Sequence, residues 1–470
     1  MGVTSPEQPE HQPQQSKHWK AGPFQIRLPF VHYRIEWPDY IQGLLMCAVD
    51  LSAIPLMVSL LGMPFEVALA VIILNGLLYL VHHLLGDPIV PGWITPAIPL
   101  VMAYCMSFPE GTERVHALIA FQLILGMLSL LLGVTGLARW VVRIVPPALK
   151  AGVVMGAGFA AVMAIFGEDG HFHAFPLTIT IAVGFALYLL YSKQFTNLRN
   201  RYRVVAAVAK LGILPAILLA VFVGPLTGES QWPDIEWGIS SPDFITLWQE
   251  YTIFGLGLPP LSMFLTAIPT VIATYIVVFG DVLQADALIK EANKARPDDH
   301  VVYEPNRAHM LFGGRNVIMS VIGPDVAMCG PSWAAMVVVI TERYKEGPQA
   351  MRNLFGGVGS FRWGTNTGLL LLPIVTLVEP ILTVALALTL TIQAFVSVRI
   401  GIMEARSQRD LGIAGITAGV LALQGAAWGL TTGIILCLLI YGRQFFRGEN
   451  DGTFAAHPVP QVDKVNKPNQ

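Results

Sequence analysis

The sequence predicts an all-α polytopic membrane protein: about 14 transmembrane segments as a 7+7 inverted repeat, with short extended strands in the third and tenth segments. Three observations lead there. The 470 residues are 54% hydrophobic and 13% charged, with a mean hydropathy of +0.59, a balance that excludes a soluble enzyme. Apolar runs of about 20 residues, enough to cross a bilayer core, recur along almost the whole chain. Two of these runs are broken by prolines at corresponding places far apart in the sequence.

Residues 1–35 are rich in Pro, Gln and His and hold no signal-peptide core, so they read as a disordered cytoplasmic tail. Candidate spans follow at 40–61, 64–85, 91–108, 115–137, 148–166, 174–192, 204–224, 254–282, 308–322, 325–342, 366–378, 380–402, 411–425 and 427–446. They set a first repeat at 36–225, an extracytoplasmic loop at 226–253, a second repeat at 254–446 and a cytoplasmic tail at 447–470.

Charge placement tests that count. Basic residues gather around Lys17 to Arg34, Arg139 to Lys150, Lys193 to Arg203, Lys290 to Arg307, Arg343 to Arg352, Arg399 to Arg409 and Arg443 to Arg447. If every span crosses once, all of these fall on one side, which the positive-inside rule makes cytoplasmic. The loop from Gly224 to Thr252 agrees, with five acidic residues and no Lys or Arg. Both termini are then cytoplasmic and the number of crossings is even. The third and tenth spans stand an odd number of crossings apart, so the second half enters the membrane in the opposite sense.

The tenth span, Ile322 to Thr341, carries Pro324 and Pro331. Each lacks a backbone donor and disfavours a helical residue before it, so the first half is predicted extended and helix begins near Ser332. The third span repeats this grammar: Trp93-Ile-Thr95-Pro-Ala97, then Ile98, lies over Met328-Cys-Gly330-Pro-Ser332, then Trp333. A break at membrane depth is tolerated only where protein or a water-filled cavity satisfies the freed backbone groups. Either segment alone reads simply as a proline-kinked helix that binds nothing. As a matched pair they point to substrate bound at the midplane between half-helix N-termini.

Ionisable residues at depth are functional hypotheses. Asp50 sits mid-span with no basic residue near it in sequence, so it either carries a proton or packs against a polar partner on another helix. Asp281 ends the eighth run, behind Thr270, Thr274 and Tyr275 at helical spacing, whose hydroxyls either face a polar path or bond back to their own helix. Arg315 and Asp325 read as an interfacial pair near the outer face, and His82 and His83 as interfacial at the inner end of the second span. Glu379 lies at an external turn, and the run Phe361 to Thr367 reads as a polar, Gly-rich loop leading into the eleventh span. The four cysteines fall in apolar runs and predict no disulfide framework. No P-loop, metal-ligand spacing or nucleophile and base set is present, so no cofactor, metal, nucleic-acid partner or enzymatic activity is expected.

Several stretches resemble the nucleobase/ascorbate transporter superfamily, which includes uracil and xanthine permeases. Ile41-Gln42-Gly43 through Ile54-Pro55 is similar to that family's opening pattern, with Gly43 where His is usual. The second and third spans, Phe279-Gly280-Asp281 and Arg307 to Pro324 follow its order and spacing. The resemblance implies 14 segments split into a core and a gate domain, transport driven by protons or sodium, and often a homodimer. It implies backbone at Ala97, Ile98 and Gly330 to Ser332 facing substrate, and Asp281 at a position linked to coupling. The family's two carboxylates that accept from ring N–H groups align here with Val277 and near Trp333 or Ala334. The ninth-to-tenth junction is also similar to the sulfate permease family, without that family's Ser-Arg pair, since Trp333 follows Ser332.

The sequence therefore predicts a secondary active transporter of the inner membrane, importing a nucleobase-like planar metabolite with protons (or sodium). The alternative is a small organic or inorganic anion, such as an aromatic acid or a sulfate-like ion. The site set is Thr95, Ala97, Ile98, Thr274, Val277, Gly330, Ser332 and Trp333 for substrate, with Asp50 and Asp281 for the coupling ion.

Overall fold

The structure, a computed structural model, describes residues 17–138, 145–168, 170–209 and 211–442. It opens with a hairpin, β1 (Trp19–Ala21) and β2 (Phe24–Ile26), paired antiparallel with Lys20 opposite Gln25. This corrects the disordered tail predicted over 1–35 for everything from Lys17 onward; residues 1–16 lie outside the described residues, as does the predicted 447–470 tail. The hairpin stays because it is tied to the helices. Arg27 N–H donates to Leu84 O at 2.8 Å, the Arg27 guanidinium lies 3.8 Å from the Phe355 ring centroid, and Tyr33 and Glu36 bond His83 and Ser360.

The first span is α1 (Trp37–Leu51) and α2 (Ile54–Leu61), broken where Pro55 offers no N–H to the helix, and closed by Gly62 at φ 69°. Then come α3 (Phe65–Leu84), β3 (Gly92–Trp93), a 3-10 turn (Thr95–Ala97), α4 (Ile98–Met106) and α5 (Thr112–Thr135). After these run α6 (Pro147–Phe166), α7 (Pro176–Tyr191), α8 (Lys193–Arg201), α9 (Arg203–Ala209) and α10 (Leu214–Thr227). The long loop that follows holds α11 (Phe244–Glu250) and α12 (Ile253–Leu256) and packs along 369–376 through Ser240 and Glu236.

The second half holds α13 (Leu261–Ala295), α14 (Pro305–Ile322), β4 (Cys329–Gly330) and α15 (Ala334–Lys345). It ends with α16 (Leu354–Leu370), α17 (Leu372–Val378), α18 (Leu382–Glu404), α19 (Gln408–Gln424) and α20 (Ala426–Tyr441). Among the described residues, six helices are long and apolar enough to cross a membrane, seven if the α7–α8 pair, bent by 61°, is one span. The fourteen-span count therefore rests on the broken and shorter segments as well.

The eleventh span needs correction. Residues 361–367 are not a loop: they lie inside α16, fully helical, so the span begins near Leu354 rather than at 366. The Gly-rich composition that reads as a loop is instead a packing surface. A Cβ on Gly364 would stand 2.1 Å from the Tyr40 carbonyl oxygen, and one on Gly43 2.1 Å from that of Phe361. Helices α1 and α16 thus touch backbone to backbone, which explains why a bulky residue has no room at position 43.

Candidate functional site

The two interrupted segments meet. Strands β3 and β4 pair antiparallel, Gly92 opposite Gly330 and Trp93 opposite Cys329, so the extended stretches predicted in the third and tenth spans are both present. The contact continues outward, with Trp333 N–H donating to Val90 O at 2.7 Å and Ile94 N–H to Ala327 O at 3.2 Å. These bonds satisfy backbone groups that a broken helix would leave bare in lipid. Only small residues allow the approach: a Cβ on Gly92 would lie 2.6 Å from the Trp333 Cβ. Met328, next to β4, holds φ at 50°, a left-handed geometry that costs a non-glycine residue about 1–2 kcal/mol. Strain of this kind collects at ligand clamps and switch regions.

Beyond the strands the half-helices α4 and α15 begin at N-cap residues Ala97 and Trp333, neither of which caps with its side chain. Their first N–H groups carry the partial positive charge of a helix start. Trp93 Nε1 and Ser332 Oγ are buried beside them without a protein partner, and so is Thr274 Oγ1 on α13, the helix packed against the 3-10 turn and α4. Ala97, Ile98, Val277 and Gly330 are buried, whereas Thr95 and Trp333 are half-buried. Every one of the unpartnered groups is able to donate, and neither Val277 nor Trp333 supplies a carboxylate.

Behind the strand pair stands a charged network that sequence reasoning missed. Asp50 does have a cation: Arg362 Nη1 reaches its Oδ2 at 3.4 Å, with Arg362 wholly buried in α16. Arg362 also donates to the Pro91 carbonyl, which ties it to the chain entering β3. Its Cζ lies 3.9 Å from the Tyr79 ring centroid, and that of Arg315 lies 3.7 Å from the same centroid. Both guanidiniums therefore lie against the one tyrosine ring, whose negative π-face favours cations.

Arg315 and Asp325 are not interfacial, as their positions in the chain suggest, but buried, and they meet through Asn75. Arg315 donates to its side-chain oxygen, and its amide nitrogen donates to Asp325. Asp325 N–H in turn donates to Gln122 at 3.0 Å, Gln122 donates to Asn316 at 3.3 Å, and Asn316 exchanges bonds with the Cys329 backbone at 2.7 and 2.9 Å. The network ends on β4 itself. His82 and His83 are likewise buried rather than interfacial. His82 pairs with Asp87 at 3.2 Å and faces Arg315 and Cys329, while His83 bonds the Tyr33 hydroxyl at 2.8 Å.

On α13, Tyr275 does not face an open path, since its hydroxyl bonds His309 at 3.0 Å. Asp281 is half-buried, and α13 continues past it to Ala295, further than the predicted span end. The signal that would have found Arg362 was present: an arginine amid glycines at helical spacing, Gly357, Gly364 and Gly368, in an otherwise apolar stretch. Among the described residues no group of three or more His, Cys, Asp or Glu side chains converges as a metal site. A cleft of about 600 Å³ opens at the C-terminal end of α2, between Leu61, Glu110, Arg114 and Tyr251, and holds none of the predicted site residues.

The sequence matches no protein-family model and no curated protein. The fold does have solved counterparts. SLC26A9 aligns with a TM-score of 0.57 at 15% identity, over 86% of this chain and 65% of that one. The murine Solute Carrier 26 family member A9, an anion transporter in its inward-facing state, aligns at 0.52 and 14% identity over 87% and 68%. The transmembrane domain of a cyanobacterial bicarbonate transporter, BicA, aligns at 0.48 and 13% identity over 84% and 96%. The chain spans just under two thirds of the first of these, and at such identities the likeness is one of fold alone: this is a multi-pass membrane protein whose fold is similar to theirs.

Proposed function

We propose that the protein is a secondary active transporter that carries a small anion, bound where α4 and α15 begin. The observation that carries this reading is the pairing of β3 with β4. It brings two helix starts without side-chain caps together with the unpartnered donors of Trp93 and Ser332. Helix N-termini favour negative charge, and a buried donor left without an acceptor costs about 1–3 kcal/mol. An anion relieves that cost, whereas a nucleobase adds ring N–H groups to a site whose aligned positions, Val277 and Trp333, offer no carboxylate. The solved counterparts include an anion transporter, which favours the same side.

The chain is further proposed to comprise 14 segments in two inverted sevens, in the inner membrane with both termini cytoplasmic. The packing supports a core and a gate: α5 packs on α13 and α14 as α16 packs on α1 and α3, while α18 and α19 each pack on α6. Substrate residues are Thr95, Ala97, Ile98, Thr274, Val277, Gly330, Ser332 and Trp333. Protons are proposed as the coupling ion, with Asp281 and the Arg362-paired Asp50 as carriers.

Reconstituted protein tests this directly. Uptake into proteoliposomes, competed by sulfate, bicarbonate and benzoate against uracil and xanthine, is expected to fall with the anions alone. Competition by the nucleobases alone would overturn the anion reading in favour of a nucleobase carrier, and uptake driven by imposed sodium rather than a proton gradient would overturn the coupling.

A further inference from the structure

The stretch joining α7 to α9 has no part in the site, yet its surface is unusual. Helix α8 turns by 61° away from α7, so it runs across the direction of that apolar helix rather than along it. Ser192 caps it, its hydroxyl accepting from Phe195 N–H at 3.4 Å, and buried Phe195 packs edge-on to Tyr188 with ring centroids 5.6 Å apart. The helix is thus anchored on one side. Around that anchor the stretch exposes Lys193, Arg199, Arg201 and, just beyond, Arg203, together with the apolar Leu198, Tyr202 and Val204, the last 76% exposed. From Ser192 to Ala209 there is no acidic residue, and among the described residues no carboxylate pairs with any of the four cations.

We infer that α8 and Tyr202 to Val204 form a docking surface for the anionic phospholipid headgroups of the leaflet that the helix enters from α7. The cations meet lipid phosphates, and Leu198, Tyr202 and Val204 enter the boundary between headgroups and acyl chains. Basic and apolar groups on one short helix at a span's end suit a charged lipid surface better than a soluble anion, because a free phosphate offers nothing to the apolar side chains. The surface belongs to the α6, α7 and α18 side of the molecule, so its docking would hold that side in the leaflet. The inference rests on the chain's membrane residence and not on the transport reading, so either one can fail alone.

Hydrogen exchange of the full-length protein in nanodiscs provides the test. Nanodiscs of phosphatidylcholine are compared with nanodiscs containing about one third phosphatidylglycerol; exchange across 193–204 is expected to slow by about tenfold in the latter. Neutralising all four cations to Gln removes the slowing, and replacing Arg199, Arg201 and Arg203 by Lys keeps it, which separates charge from a folding defect. Equal exchange of the unaltered protein in the two lipids would overturn the inference. So would equal slowing by free glycerol phosphate added to phosphatidylcholine nanodiscs, because the ligand would then be the phosphate and not the lipid surface.

Discussion

Arg362 closes on Asp50 at 3.4 Å from 312 positions away in the chain, while its other amino group holds the Pro91 carbonyl at the approach to β3. One buried guanidinium therefore joins the first span, the eleventh and the interrupted third. Neither partner is tolerable at this depth alone, since an ion in a low-dielectric interior needs its counter-charge and hydrogen bonds together.

Breaking that pair by Arg362→Met is expected to destabilise the protein by about 3–5 kcal/mol, the usual result of stranding a buried charge. The double variant Asp50→Leu with Arg362→Met recovers most of the loss, because no charge is left unpaired. Thermal unfolding in detergent measures both, and a double variant no more stable than the single one would show that the pair is not the source of the effect.

Removing the Ser332 hydroxyl leaves stability unchanged, since its oxygen has no protein partner. Ser332→Ala is expected to raise the KM for the transported anion by about 2- to 10-fold, the worth of one hydrogen bond. Unchanged uptake kinetics with an unchanged melting temperature would remove Ser332 from the site.

The contact of α1 with α16 admits no side chain at its glycines. Gly43→Ala and Gly364→Ala each push a methyl group into a carbonyl oxygen and are expected to lower the melting temperature sharply. Gly412→Ala, with nothing within 4 Å, is the control and is expected to be neutral or to stabilise by about 0.5–1 kcal/mol.

The loop side has its own pH dependence. Asp243 accepts from Thr246 and Ile245 at the start of α11, and these bonds hold its carboxyl pKa below the ordinary value. Glu229 is raised by partial burial, but bonds from Thr178 and Leu177 at the start of α7 outweigh that and leave its pKa lowered. A carboxylate with a depressed folded pKa contributes above its unfolded pKa and loses that contribution as pH falls through the folded one. Both caps are therefore expected to be intact at neutral pH and to release only as pH falls below the ordinary carboxylate range. Hydrogen exchange of amides 177–178 and 245–246, corrected for intrinsic rate, follows this; Asp243→Asn flattens the second response and leaves the first.

Membrane residence, the helix breaks of the third and tenth spans, and the presence of two matched extended stretches were legible in the sequence, because each depends on neighbours within a few residues: apolar run length, or the donor and the φ freedom that Pro324, Pro331 and Pro96 lack. The proposed cytoplasmic sidedness rests on the placement of Lys and Arg alone. What the chain order concealed was partnership. Asp50 reads as having no basic residue near it in sequence, Arg315 and Asp325 as an interfacial pair, His82 and His83 as interfacial groups, and Phe361 to Thr367 as a loop, because the residues that bury or neutralise each of them arrive from distant helices. Burial and charge compensation are set by which faces meet, and only the packing of α1, α3, α14 and α16 around the strand pair decided that.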